Sequence, residues 1–217
     1  MNFPIMTELN LQGKKAIAYM EAKGYKIRAL NIVYFEGIDP DLQTINSDRI
    51  DYWNDVRAII TEKGDVLLAC AATTEPGWYY RRNRLNSDGA AQLAFGQYLE
   101  CWQIGDHKGQ DALVQCGNLR LHRDKNEDGS RKGDPIDVGN DFGVNQHTTA
   151  NGPDFVGKWS AGCLVGKYPT THNDQFMPIC RAMGLKKFDS TLIDGSDFAL
   201  FDNNERIAKV PAAKRLG

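Results

Sequence analysis

A series of short apolar runs separated by turn residues is the sequence feature that most constrains the fold. Five such runs lie in the middle of the chain, at 57–61, 66–71, 96–104, 111–116 and 118–123. The last three are each followed by Gly or Asp, and Glu62-Lys63-Gly64-Asp65 joins the first two as a hairpin turn would. Short strands at this spacing predict a β-sandwich or a β-barrel.

Helical patterns flank this β-rich region. Residues 9–25 place apolar side chains at helical spacing among lysines and end at Gly24, which is typical of a short amphipathic helix with a glycine C-cap. A second helix is predicted over 171–183, where Pro178 must occupy the first turn or produce a kink.

The remaining segments complete a mostly β chain of the α+β class. Residues 32–35 form a strand-like run, and residues 191–210 return to strand-like runs with Asp-Gly and Asn-Asn turns. There is no internal repeat and no convincing linker. We therefore expect one domain over 31–217 with an N-terminal helical appendage, residues 1–30, packed on it.

Composition excludes several classes of protein. The chain has 26 basic and 28 acidic residues, so that its net charge of -2 provides no electrostatic surface for nucleic acid. Residues 1–7 lack the basic and apolar regions of a signal peptide, and no segment approaches the roughly 18 apolar residues of a spanning helix. The sequence thus predicts synthesis in the cytoplasm, without a signal peptide or a membrane span.

The five cysteines do not form the pattern of a disulfide framework. Their number is odd, they are widely separated and none forms a Cys-x-x-Cys pair, so we expect reduced thiols and no structural zinc site. Four of them lie in apolar contexts typical of buried cysteines: Cys70, Cys101, Cys116 and Cys180. Cys163 differs because it follows the small-residue turn Ser160-Ala161-Gly162.

Cys163 and His147 form a candidate nucleophile and base. A thiol becomes nucleophilic when a neighbouring histidine takes its proton. His147 closes a strand-like run sixteen residues before Cys163, and the small residues Ala161 and Gly162 would let a substrate carbonyl approach backbone amides. His172 is an alternative base or a third member of the site. The predicted chemistry is acyl transfer, with no required cofactor.

The segments around these two residues resemble a known catalytic domain. Gly143-Val144-Asn145-Gln146-His147, followed by Gly157 and by Ser160-Ala161-Gly162-Cys163-Leu164-Val165, is similar to the signature of the L,D-transpeptidase family. In that family a Gly-x-x-His strand precedes a Ser-His-Gly-Cys motif. Residues 72–79 resemble the family's Thr-Pro-x-Gly-x-Phe segment. The resemblance covers residues 57–181 and implies an L,D-transpeptidase-like catalytic domain.

The resemblance also implies a substrate and a set of roles. Cys163 would attack a carbonyl of a peptidoglycan stem peptide, His147 would act as base, and Ser160 and Gly162 would shape the oxyanion site. Substrate contacts are expected from four further residues: Asn145, Gln146, Trp159 and Ala161. Because Asn145 and Gln146 are adjacent, one of their two side chains should face the site. No metal is expected among these residues.

Two departures from the family pattern leave the reaction open. Ala161 stands where the family usually has His, and Val165 where it usually has Arg or Asn. Resolution of the acyl-enzyme by an amine would make a transpeptidase, and resolution by water would make a peptidase. Without an export signal, an enzyme of the cell wall could be of a phage lysis type. The alternatives are a catalytically weakened wall-binding or virion structural module and a cytoplasmic cysteine hydrolase.

Residues 124–130 resemble the first half of a calcium-binding loop. Asp124, Asn126 and Asp128 supply oxygens at the first, third and fifth positions, and Gly129 is at the sixth. Pro135 stands at the twelfth position, where a bidentate carboxylate belongs. A polar hairpin tip is therefore the favoured interpretation, with calcium as the alternative.

Overall fold

The computed structural model describes residues 3–201 and shows a closed barrel of eight strands with a second, three-stranded sheet. The strands are β1 Leu30–Glu36, β2 Asp55–Thr61, β3 Val66–Thr73, β4 Ala90–Leu93, β5 Gly96–His107, β6 Gln110–Gln115, β7 Leu119–Asp124, β8 Ile136–Gly139, β9 Gln146–Thr148, β10 Leu164–Gly166 and β11 Phe188–Asp194. The barrel order is β1-β11-β5-β6-β9-β10-β3-β2, and the second sheet has the order β4-β7-β8. The predicted mostly β, α+β class is confirmed.

Five α-helices, of which only α1 is long, connect or cover these strands within residues 3–201. They are α1 Phe3–Ala22, α2 Trp78–Arg82, α3 Pro169–Thr171, α4 Met177–Ala182 and α5 Gly195–Leu200, with a π-helical turn, His172–Phe176, between α3 and α4. The helix predicted after the cysteine is confirmed, and its proline lies in the first turn of α4. None of the helices within residues 3–201 is long and apolar enough to cross a membrane.

The prediction of strand-like structure after residue 194 is wrong for 195–200. Asp194 is the N-cap of α5, because its side chain accepts hydrogen bonds from the amides of Ser196 and Asp197. An Asp-Gly pair was interpreted as a turn between strands, but the same carboxylate also begins a helix. The rest of that prediction, 202–210, lies outside the described residues.

Helix α1 packs on the outer face of the barrel. Ala16, Tyr19 and Met20 are buried in a cluster with side chains of β1, β2 and α5. The helix approaches the β2–β3 hairpin so closely that a Cβ on Gly13 would lie 2.2 Å from the carbonyl oxygen of Gly64. Only glycine allows this contact, which seats the helix against the strands.

Buried ion pairs connect the second sheet to the barrel. Arg81, fully buried on α2, pairs with Glu75 and with Asp124 at the end of β7. Arg131, in the loop before β8, pairs with Glu36 of β1. Buried charges are tolerated when they are paired, and these pairs hold the second sheet against the barrel.

Candidate active site

Parallel pairing of β9 and β10 brings the predicted base and nucleophile together. His147 lies opposite Val165 in the register, and the amide of Leu164 donates to the carbonyl of Asn145 over 2.9 Å. Cys163 directly precedes β10 and therefore lies beside the start of β9. The fifteen residues between His147 and Cys163 form the connection that a parallel pair requires.

The hydrogen bonds of His147 define its tautomer. Nδ1 lies 2.9 Å from the carbonyl oxygen of Thr148, and because a carbonyl only accepts, Nδ1 carries the proton. Nε2 is buried and has no hydrogen-bond partner within residues 3–201. Burial lowers the pKa of His147 to about 3, so that the ring is neutral near pH 7. His147 therefore presents an unshared electron pair, as a general base must.

The Cys163 thiol is held by backbone groups. Sγ accepts a hydrogen bond from the amide of Asn145 and donates one to the carbonyl of Gly143, each over 3.5 Å. Desolvation raises the pKa of Cys163, so the resting site is a neutral thiol beside a neutral imidazole. Nucleophilic attack then requires proton transfer from Sγ to His147.

Ser160 and Gly162 hold the turn before Cys163 in place. Ser160 is buried, and its Oγ donates to the carbonyl of Cys163 over 2.8 Å and accepts from the amide of Gly162 over 3.1 Å. The hydroxyl proton of Ser160 and the amide proton of Gly162 are therefore both used within the turn, and neither is available to an oxyanion. Gly162 has φ +127°, and a Cβ there would lie 2.7 Å from the carbonyl oxygen of Ala91. These two residues shape the turn, whereas the amide of Cys163 itself has no acceptor within 3–201.

His107 is a further member of this site that is not among the residues predicted from the sequence. His107 ends β5, and its ring lies against that of His147 with centroids 4.4 Å apart. A ring nitrogen of each histidine and Sγ of Cys163 all lie within 4.8 Å of one another. In the barrel, β6 lies between β5 and β9, and this pairing brings His107 near His147. A local motif could not reveal that proximity.

Asn145 and Gln146 have different surroundings. The Asn145 amide donates from Nδ2 to Nδ1 of His107 over 2.8 Å. Gln146 points into the barrel, where it is fully buried between Tyr34 and Ser190. The predicted substrate contact of Gln146 is therefore wrong, because alternate residues of a strand face opposite sides.

Arg57 joins the segments of His147 and Cys163 from inside the barrel. Its Nη2 donates to the carbonyls of His147 and Leu164, each over 2.9 Å. Nε donates to Tyr34 Oη over 2.7 Å, and Nη1 contacts Nδ1 of His172 at 2.9 Å. This guanidinium is fully buried, and a fork of fixed donors is suited to joining two strands. The sequence offered no signal for this role.

His172 belongs to the Arg57 network and not to the Cys163 site. Its Nδ1 accepts from Arg57, and its Nε2 donates to the carbonyl of Asp111 over 2.8 Å. Burial lowers the pKa of His172 to about 4. Since both nitrogens are occupied, the alternative assignment of His172 as base has no support from the geometry.

Cys163 and His147 open on a cavity of about 550 Å³ between the barrel and the second sheet. Its walls also contain His107, Tyr80, Phe142, Lys108, Trp159 and Ala161. Trp159 and Ala161, both predicted as substrate contacts, thus face the space next to the thiol. The cavity is of the size that small-molecule and peptide sites have.

The cluster of His107, His147 and Cys163 consists of residue types that can bind a metal. Among the described residues, it is the group of three or more His, Cys, Asp or Glu side chains that could hold an ion. A neutral histidine that binds metal through one nitrogen carries its proton on the other and donates it to an acceptor. His147 meets this condition, but Nδ1 of His107 faces an amide donor, so this donor set does not suit a metal.

The calcium-like loop is a hairpin tip with a buried ion pair. Asp124 is fully buried against the guanidinium of Arg81, and its Oδ2 also accepts from the amide of Gly129. Asn126 donates to Asp128 over 2.8 Å. A cation at the first position would compete with Arg81, so the contacts favour the hairpin over calcium.

Comparison of the chain with protein-family models, with curated proteins and with solved structures gives no significant match.

Proposed function

We propose that the protein is a cysteine acyl-transfer enzyme that acts on peptide bonds of peptidoglycan stem peptides. The observation that supports this best is the unpartnered, buried Nε2 of His147, on a ring that has one nitrogen within 4.8 Å of the Cys163 Sγ at the wall of a cavity. A buried basic nitrogen without a partner is costly in a core, and its presence beside a thiol indicates a catalytic purpose.

The reaction follows from this geometry. Nε2 of His147 takes the thiol proton as Sγ of Cys163 bonds to the substrate carbonyl carbon, whose oxygen becomes an oxyanion. The backbone amide of Cys163 is available to bind that oxygen. Collapse breaks the C–N bond, and the leaving amine takes the proton from His147. An amine or water then attacks the thioester carbonyl and loses its proton to His147. The C–S bond breaks, and the departing thiolate of Cys163 takes that proton from His147.

The stem-peptide substrate rests on the resemblance of the residues around His147 and Cys163 to the L,D-transpeptidase signature. The cavity agrees with it, because exposed Lys108 and Lys158 border the thiol and suit a peptide that bears carboxylates. Trp159 and Phe142 supply apolar walls. The open side of the cavity admits either an amine or water as acceptor.

Incubation with purified muropeptides and mass analysis of the products tests this proposal, with Cys163→Ala as the matched control. New cross-links identify a transpeptidase and shortened stems identify a peptidase. Unchanged muropeptides, with retained binding to sacculi, would contradict the proposal and support the wall-binding module. Equal turnover by the wild type and Cys163→Ala would exclude Cys163 as nucleophile.

A further inference from the structure

Two hydrogen bonds and a lowered pKa determine which nitrogen of His107 carries its proton. The backbone amide of Gln115 donates to Oδ1 of Asn145 over 2.9 Å, which fixes the orientation of the side-chain amide. Nδ2 of Asn145 therefore faces His107, and it can only donate, so Nδ1 of His107 accepts over 2.8 Å. Burial and Lys108 lower the pKa of His107, so the ring is neutral and its proton is on Nε2.

This Nε2–H group has no acceptor within residues 3–201. The ring is half-buried, lies against His147 and lines the cavity in which Cys163 is found. Ala161, on the turn before the nucleophile, presents only a methyl group to the same cavity. The amide of Cys163 would otherwise be a single donor to the developing oxyanion.

We propose that His107 is a further catalytic residue, whose Nε2–H donates a hydrogen bond to the substrate carbonyl oxygen as Cys163 attacks. The inference rests on the proposed acyl transfer. Asn145 is then a positioning residue, because it selects the tautomer of His107 and does not itself reach the substrate. The proton of His107 stays on the ring throughout, since His147 performs the proton transfer.

The tautomer is measured first, by NMR of protein labelled with ¹⁵N-histidine. Near pH 7 we expect His107 to be protonated on Nε2 and His147 on Nδ1, each signal being assigned by its loss in a point variant. Protonation of His107 on Nδ1 would overturn the proposal.

The donor is tested by the burst of p-nitrophenol as Cys163 is acylated by p-nitrophenyl acetate. His107→Phe retains a planar ring without a donor and should acylate about 10²-fold more slowly, as loss of one oxyanion donor does. His107→Gln retains a neutral N–H donor and should recover part of this loss. His122→Phe, on β7 outside the cavity lining, serves as the control and should acylate as the wild type does. Equal rates for His107→Phe and the wild type would overturn the proposal.

Asn145→Asp changes one polar group and separates a catalytic from a structural role. The carboxylate still accepts from the Gln115 amide, but it can also accept from Nδ1 of His107. Neutral His107 would then carry its proton on Nδ1 and have none on Nε2. The acylation rate relative to the wild type should fall at alkaline pH and recover at acidic pH, where the imidazolium again donates from Nε2. A ratio that does not change with pH would contradict the proposal.

The ester assay also separates this inference from the proposed function. Acylation that depends on Cys163 and His107 without turnover of muropeptides would reject the stem-peptide substrate and support the role of His107. Turnover of muropeptides that is equal in His107→Phe and the wild type would support the proposed function and reject the role of His107.

Discussion

His147 and His172 both contact the Arg57 guanidinium, His147 through its backbone carbonyl and His172 through Nδ1. Burial lowers the pKa of both, to about 3 and about 4. Their hydrogen bonds differ. Both nitrogens of His172 have partners, whereas Nε2 of His147 has none within 3–201. A low pKa therefore accompanies a structural histidine and a catalytic candidate alike, and the unpartnered nitrogen beside a thiol distinguishes them.

The largest expected effect is the loss of catalysis in His147→Gln. Removal of a general base should lower turnover of the active substrate by about 10²- to 10⁴-fold. The free energy of unfolding should change little, because Nε2 has no partner to lose and the glutamine amide can replace Nδ1 as the donor to the carbonyl of Thr148. Turnover and urea unfolding measure the two quantities. His172→Gln is the matched control, and a greater loss of turnover in that variant would reverse the two assignments.

Arg57→Met should remove the contacts that Arg57 makes with both His147 and His172. The carbonyls of His147 and Leu164 and the Nδ1 of His172 would lose their donor. Since each unsatisfied buried group costs about 1–3 kcal/mol, we expect a loss of about 3 kcal/mol or more in unfolding free energy. Chemical denaturation measures it. Arg57→Lys keeps the positive charge but lacks the forked donors of the guanidinium, so it should recover only part of the lost unfolding free energy. Full recovery would show that the charge alone stabilises the protein.

His172→Phe should lower the unfolding free energy but leave turnover nearly unchanged. Nη1 of Arg57 and the carbonyl of Asp111 lose their partner, which should reduce the unfolding free energy by about 1–3 kcal/mol. Turnover below the unfolding transition should stay near that of the wild type. A loss of turnover comparable with that of His147→Gln would place His172 in the catalytic site.

The pH dependence of stability gives the smallest effect. A histidine whose folded pKa is lowered stabilises the protein above its unfolded pKa of about 6.5, and this stability decreases as pH falls toward the folded pKa. His172 should therefore contribute a slope of up to about 1 kcal/mol per pH unit between pH 6.5 and about 4.

Comparison with His172→Gln isolates this contribution. Burial raises the pKa of Glu75 to about 7, which favours the folded state as pH falls and so acts in the opposite direction. The variant keeps Glu75 and lacks the imidazole, so the difference between the two unfolding curves reports His172 alone. Parallel pH dependences of the two proteins would show that His172 is not held neutral.

Much of the fold was accessible from local patterns. The hairpin between β2 and β3 and the strands β5, β6 and β7 coincide with the predicted runs, because alternation and turn residues are local properties. Residues 195–200 were mispredicted because an Asp-Gly pair is compatible with both a turn and a helix cap. Barrel closure and the separation of β7 into a second sheet depend on pairings between distant segments, which no local pattern specifies.

The sequence by itself determined the nucleophile candidate, its candidate histidine partner and the β-rich class, because each follows from residue types at short spacing. The tertiary structure decided the rest of the site. It brought His107 from the end of β5, turned Gln146 into the barrel, assigned His172 to Arg57 and left Nε2 of His147 without a partner. These outcomes depend on which strands are neighbours and on which atoms find partners, and both are set only when the barrel closes.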